Sequence, residues 1–149
     1  SDDDVQAAIQ EALAPFERGA TESPYGIQEE LRDTMQDEVG IARTEESLSA
    51  AVETIEGYRE RANAVGCNGN RHYNNGWHTC LDLPNLLTVS EAIARSALER
   101  KESRGAHSRL AYPEKEETLA KVNIWVQKSA DGSMSVRREP IKPMPDDLL

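Results

Sequence analysis

Thr44-Glu-Glu-Ser-Leu-Ser-Ala-Ala-Val-Glu-Thr-Ile-Glu-Gly-Tyr-Arg-Glu-Arg-Ala-Asn-Ala-Val-Gly66 is the stretch whose periodicity decides the fold. Two series with seven-residue spacing run through it, Leu48, Ile55, Ala62 and Ala51, Tyr58, Val65. That spacing places an apolar stripe on one side of a helix, suited to antiparallel bundle packing. Thr44 is a suitable N-cap, Glu45 and Glu46 complement the helix dipole, and Gly66 is a natural stop.

Similar patterns lie on either side. Val5, Ala8, Ile9, Ala12, Leu13 and Phe16 mark one face of a first helix, with Asp2 to Asp4 at its positive end. Gly19 through Ser23, Pro24 and Gly26 reads as a linker. Ile27, Leu31, Met35 and Val39 outline a second helix stopped by Gly40. After a loop rich in Gly and Asn over 66–80, a fourth helix is expected to open near Asp82 with Pro84 in its first turn. Its buried stripe is Leu83, Leu86, Leu87, Ser90, Ile93 and Ala97.

Then the period changes. Val122, Ile124 and Val126 alternate with Asn123, Trp125 and Gln127, and Asp131-Gly132 precedes Ser133 to Val136, which signals a hairpin. Pro140, Pro143 and Pro145 predict an extended tail. The expected fold is mainly α: a three- to four-helix, spectrin-repeat-like bundle with a C-terminal β-hairpin. Its expected divisions are residues 1–26 (helix and linker), 27–110 (bundle) and 111–149 (hairpin and tail).

Composition narrows the function. A net charge of −10 repels phosphate backbones and argues against general nucleic-acid binding. No apolar run approaches the ~20 residues that span a bilayer, so no direct membrane insertion is expected. The acidic start is unlike a secretory signal, and its lack of an initiator methionine suggests a piece of a longer protein. Two cysteines do not make a disulfide scaffold, and a reduced cytosolic setting is the simplest expectation. There is no phosphate-binding glycine loop, dinucleotide fingerprint or recognised nucleophile motif. The carboxylates Glu45, Glu46, Glu53 and Glu60 read as solvated helix faces rather than catalytic pairs.

Two constellations could carry more. Cys67, His72, His78 and Cys80 could in principle surround zinc, but neither half has the close spacing of a metal knuckle. The bland reading is a loop whose histidines cap helices or face water. The second runs Glu99-Arg-Lys-Glu-Ser-Arg-Gly-Ala-His-Ser-Arg109; from Arg95 to Arg109 there are five basic residues and two Glu. Gly105 suits a left-handed stop, and Lys101 and Arg104 suit the carbonyls of a helix end. Alternatively Arg104, His107 and Arg109 fan outward as donors toward a partner surface. Residue chemistry alone leaves these two open.

The run Ala97–Arg109 followed by Tyr112-Pro113 strongly resembles the end of the helical C-terminal domain of the succinate dehydrogenase/fumarate reductase flavoprotein subunit. Leu31 to Gln36 with Val39-Gly40 and Arg43, and Tyr73-Asn74, Trp77, Leu81 to Leu83 and Asn85 to Leu87, resemble other parts of that domain. The related L-aspartate oxidase is the nearest alternative.

The resemblance implies a domain without catalytic residues of its own and without a cofactor of its own. FAD and the dicarboxylate-handling residues belong to domains that lie N-terminal in such subunits. It implies packing against the FAD-binding domain and association with an iron–sulfur subunit. The expected location is cytoplasmic, peripheral to the cytoplasmic membrane. It assigns docking to Glu102, Ser103, Arg104, Gly105, His107 and Arg109, and no activity to the isolated chain. The rival expectation is a freestanding interaction module with zinc on Cys67, His72, His78 and Cys80.

Overall fold

A computed structural model describes residues 1–20 and 22–145. Four helices, α1 (Asp2–Arg18), α2 (Pro24–Asp37), α3 (Glu45–Ala64) and α4 (Asn75–Glu99), are followed by an antiparallel hairpin, β3 (Val122–Lys128) and β4 (Met134–Pro140). Two very short strands, β1 (Ala42–Arg43) and β2 (Ser108–Arg109), pair in parallel at one end of the bundle.

The third helix forms as its sequence dictates. Thr44 Oγ1 accepts from the Ser47 amide at 3.0 Å while Ser47 Oγ accepts from the Thr44 amide at 3.2 Å, so two terminal donors are satisfied reciprocally. Leu48, Ala51, Ile55 and Ala62 are buried from the expected stripe, joined by Val52. These side chains pack on α4, and α2 lies against both helices through Ile27 and Leu31. Thr34 and Tyr58 share a 3.0 Å hydroxyl hydrogen bond across the α2–α3 seam.

Three boundaries differ from the sequence reading. The linker is shorter than expected, because Pro24 is the first residue of α2 and Gly26 lies inside it. The fourth helix opens at Asn75, not near Asp82, and Pro84 sits in its interior on the exposed side. The Asn-rich segment supplies its own cap: Asn74 Oδ1 accepts from the Trp77 amide at 3.0 Å. Tertiary packing then holds the extra turns. Trp77 lies against Phe16 with ring centroids 5.3 Å apart, and its indole N–H donates to the Ala12 carbonyl at 2.6 Å. On the α4 stripe, Leu83, Leu87, Ser90 and Ala97 are buried, but Ile93 is exposed and Cys80, Glu91 and Ala94 are buried instead.

The first helix also departs from its expected face. Only its C-terminal third packs; Val5 and Ile9 are 56% and 45% exposed. Its end is anchored where the Cys67 amide donates to the Pro15 carbonyl at 2.9 Å. Gly66 is required there, because a Cβ at that position would lie 2.1 Å from the Gly19 carbonyl oxygen.

The hairpin follows its alternation, with Val122, Ile124 and Val126 turned toward α4 and Asn123, Trp125 and Gln127 exposed. Ser129 N–H donates to the Ser133 carbonyl at 2.8 Å, and Gly132 takes the left-handed conformation (φ 87°) that this loop needs. Pro140 ends β4, and residues 141–145 carry no regular structure. Residues 146–149 of the expected tail lie outside the described residues.

Candidate functional site: an arginine–glutamate lock at the end of the bundle

After α4 ends, the chain doubles back through a tight turn. The Arg104 amide donates to the His107 carbonyl at 2.8 Å and the His107 amide returns to the Arg104 carbonyl at 3.1 Å. Gly105 supplies the positive φ of 60° that this turn requires, so it serves here rather than as the helix stop expected from sequence. Beyond the turn, Ser108 and Leu110 donate backbone amides to Ile41 and Arg43 carbonyls at 3.2 and 3.0 Å. This ladder ties the turn to the segment that leads into α3.

The ladder drives the Arg109 side chain inward. Arg109 is fully buried. Its Nη1 donates to the Ala97 and Leu98 carbonyls at 2.8 and 3.0 Å, and Nη2 donates to Glu45 Oε2 at 2.6 Å. A planar guanidinium can cap two helix carbonyls and hold a carboxylate at once, which a lysine cannot. Sequence reading gave the helix end to Lys101 and Arg104; the structure gives it to Arg109. Glu45, read as a solvated carboxylate, instead pairs with Arg109 and Lys101.

Glu102 is the complementary buried charge. Its oxygens accept from Arg104 Nε at 3.0 and 3.1 Å, from the Glu116 amide at 2.9 Å, and from Arg100 Nη1. The hydrogen bond from Arg104, with help from the Glu116 amide and Arg100, holds its carboxyl down at about 2 despite burial. Arg100 also donates to the Leu119 and Val122 carbonyls at 3.2 Å each, joining the lock to the hairpin. Ser103 Oγ accepts from the Arg109 amide at 2.9 Å and donates to the Tyr112 carbonyl at 2.8 Å.

His107 completes the cluster. Arg43 Nη1 can only donate, so His107 Nδ1 accepts its 2.6 Å hydrogen bond, and Nε2–H donates to the Arg100 carbonyl at 2.9 Å. This network assigns the neutral Nε2–H tautomer. Burial, opposed by the Arg100 carbonyl and reinforced by the charges of Arg43, Arg109 and Arg100, pushes the imidazole below its ordinary pKa.

The site therefore acts by holding structure together. The carboxylate is saturated with donors, both imidazole nitrogens are engaged, and neither group is poised to move a proton at neutral pH. The expected outward fan of donors is corrected for Arg109, whose guanidinium is spent inside the chain, and for most of His107. Arg104 remains partly exposed. Sequence reasoning missed Arg43, Glu45 and Arg100 as the partners that make the lock.

The other sequence constellation converges only in part: Cys67 and Cys80 lie within hydrogen-bond reach of each other, but the two histidines do not join them. Cys67 and Cys80 are buried, His72 and His78 are exposed, and no cluster of three His, Cys, Asp or Glu side chains placed for a metal exists among the described residues. Because α4 already includes His78 and Cys80, two residues apart, they point to roughly opposite faces, about 200° around the helix. Burial raises both thiols, Cys80 to about 11, which disfavours the thiolate a metal needs.

The fold and the lock define a helical bundle with a C-terminal hairpin, closed at one end by buried charged side chains. The chain belongs to the family described as the fumarate reductase flavoprotein C-terminal domain, which it matches over residues 28–145. It is 32% identical over 145 residues, 95% of this chain, to the succinate dehydrogenase flavoprotein subunit of Coxiella burnetii. It shares 41% identity over 93 residues, 62% of this chain, with the L-aspartate oxidase of Acinetobacter baylyi. The Sdh1 complex of Mycobacterium smegmatis superposes with a TM-score of 0.91 at 36% identity over the whole chain. The chain spans about a quarter of the Coxiella burnetii subunit (24%) and of the Mycobacterium smegmatis chain (26%), and its match covers 16% of the Acinetobacter baylyi oxidase.

Among the described residues no strand-to-helix turn is built as a dinucleotide cradle. The parallel strands β1 and β2 are two residues long, and neither leads into a helix through a glycine-rich turn that could cradle a pyrophosphate. No helix among the described residues is long and apolar enough to cross a membrane.

Proposed function

We propose that this chain is the C-terminal domain of a flavoprotein subunit that interconverts succinate and fumarate, and that it packs against the FAD-binding domain of that subunit. The observation that carries this reading is the family match over residues 28–145 together with the wide coverage by the Coxiella burnetii relative. The chemistry belongs to the remainder of the subunit, where FAD binds. This domain supplies a rigid surface on which Arg104 is the docking contact, held in place by the turn that Glu102, Ser103, Gly105, His107 and Arg109 brace from within, with an iron–sulfur subunit as a further neighbour.

Two features support a docking role. The N-terminal half of α1 leaves Val5 and Ile9 uncovered within this chain. At the lock, Arg104 stays 35% exposed while its Nε holds Glu102, so it presents a cation on a rigid mount.

The test is flavin content of the whole subunit that carries this chain. The native subunit is expected to hold FAD and to oxidise succinate with an artificial electron acceptor. Arg104→Ala is expected to lower FAD occupancy as well as thermal stability. A subunit without flavin contradicts the reading, and an Arg104→Ala variant with unchanged flavin content and stability removes the docking role from this turn.

A further inference from the structure

An open groove of about 560 Å³ runs between α4 and β3, beside the lock. Val89, Ala92 and Ile93 of α4 and Ile124 of β3 give it an apolar floor, and Arg43 and His107 stand at one end. Val89 and Ile93 are 58% and 45% exposed, on a helix whose opposite side is fully packed.

Arg43 is the informative residue. Its Nε donates to the Val39 and Gly40 carbonyls at 3.1 and 2.6 Å, and Nη1 donates to His107 Nδ1. Those bonds fix the guanidinium plane and leave Nη2 without a partner among the described residues. Around it, Arg100, Arg104 and Arg109 each hold a carboxylate, whereas none among the described residues lies within ion-pair distance of Arg43. His107 cannot neutralise it, because an imidazole is either uncharged, as in this network, or a cation itself. The groove therefore carries an uncompensated, pre-oriented cation in a chain whose net charge is −10.

We infer that this groove receives a segment of the remaining flavoprotein subunit in which a carboxylate side chain pairs with Arg43 and flanking aliphatic side chains cover Val89 and Ile93. The inference rests on the proposed function and deepens it by naming the contact surface and the chemistry of its partner. A fixed guanidinium is the better donor to such a carboxylate because little side-chain freedom is left to lose. An apolar floor beside it excludes water and strengthens the pair. A polypeptide tethered to this chain reaches the groove at high effective concentration, which favours the same subunit over a separate protein.

Two measurements on the intact, flavin-loaded subunit test this. Ile93→Cys is expected to react with a maleimide more than about tenfold more slowly in the native subunit than after unfolding in urea. Arg43→Lys, treated with a carbodiimide, is expected to form an amide to an Asp or Glu outside residues 1–149 of the same polypeptide, located by mass spectrometry. Labelling of Ile93→Cys within about threefold of the unfolded rate overturns the inference. So does an amide to another subunit or to a second copy, or the absence of any such amide. Either failure in a subunit that still holds its flavin sinks only the groove; a subunit without flavin sinks the underlying reading.

Discussion

Arg109→Ala is expected to destabilise the domain by roughly 3–5 kcal/mol, the range found when one partner of a buried charged contact is removed. Glu45 is partly exposed and can recover water, so only part of this loss is coulombic. The larger part comes from the Ala97 and Leu98 carbonyls at the end of α4, which lose their donors in a buried setting. Urea unfolding followed by circular dichroism gives the value. Arg109→Lys should recover less than half of it, because an ammonium cannot reach both carbonyls and Glu45 together. In the double variant with Glu45→Ala the losses should fall short of additive, since the two side chains share one contact. An Arg109→Ala chain as stable as the parent would mean the buried guanidinium holds nothing together.

The second large effect concerns acid. Glu102 is held at about 2 by Arg104, the Glu116 amide and Arg100, against 4.5 for an unconstrained glutamate. Its folded-state pKa lies below the unfolded one, so the stability it contributes is complete above about pH 4.5 and is lost as pH falls toward 2. The shift corresponds to at most about 3 kcal/mol at neutral pH, and the partial exposure of Arg104 argues for less. Glu102→Gln should unfold at lower urea concentration at pH 7 and show a flatter decline between pH 4.5 and 2. An unchanged acid limb in this variant would show that other carboxylates carry the acid sensitivity.

Much of the bundle can be read from short spacings. The Thr44 cap, the heptad stripes of α3 and the alternation of Val122, Ile124 and Val126 are local signals, and each forms as local physics dictates. The start of α4 is not legible this way. Asn70 to Gly76 has the composition of a loop, and although Asn74 caps the helix locally, the contact of Trp77 with Phe16 and the Ala12 carbonyl, 65 positions earlier, is what holds the added turns. Apolar periodicity likewise overstates α1, whose face is complete while its N-terminal half has nothing to cover it within this chain.

The lock was half legible. Glu102 to Arg109 stand out by charge and by resemblance to the flavoprotein family, which is enough to mark the turn. Their partners are not visible from the run itself, because Glu45 and Arg43 lie 64 positions before Arg109 and His107. A cluster of basic residues reads as an outward surface until the β1–β2 ladder is known. That ladder turns Arg109 into the bundle and leaves Arg104 and Arg43 at its edge.

The most direct test of the account is the native size of the polypeptide that carries this sequence. An antibody raised against the chain, used on an immunoblot of extract from the source cells, should detect a band about four times the 16.5 kDa of this chain, as its 24–26% share of the relatives' length implies. Acid-denatured flavin fluorescence should follow that band through purification. A single band at 16.5 kDa, with no flavin, would contradict the assignment to a flavoprotein subunit and would make a freestanding module the better description.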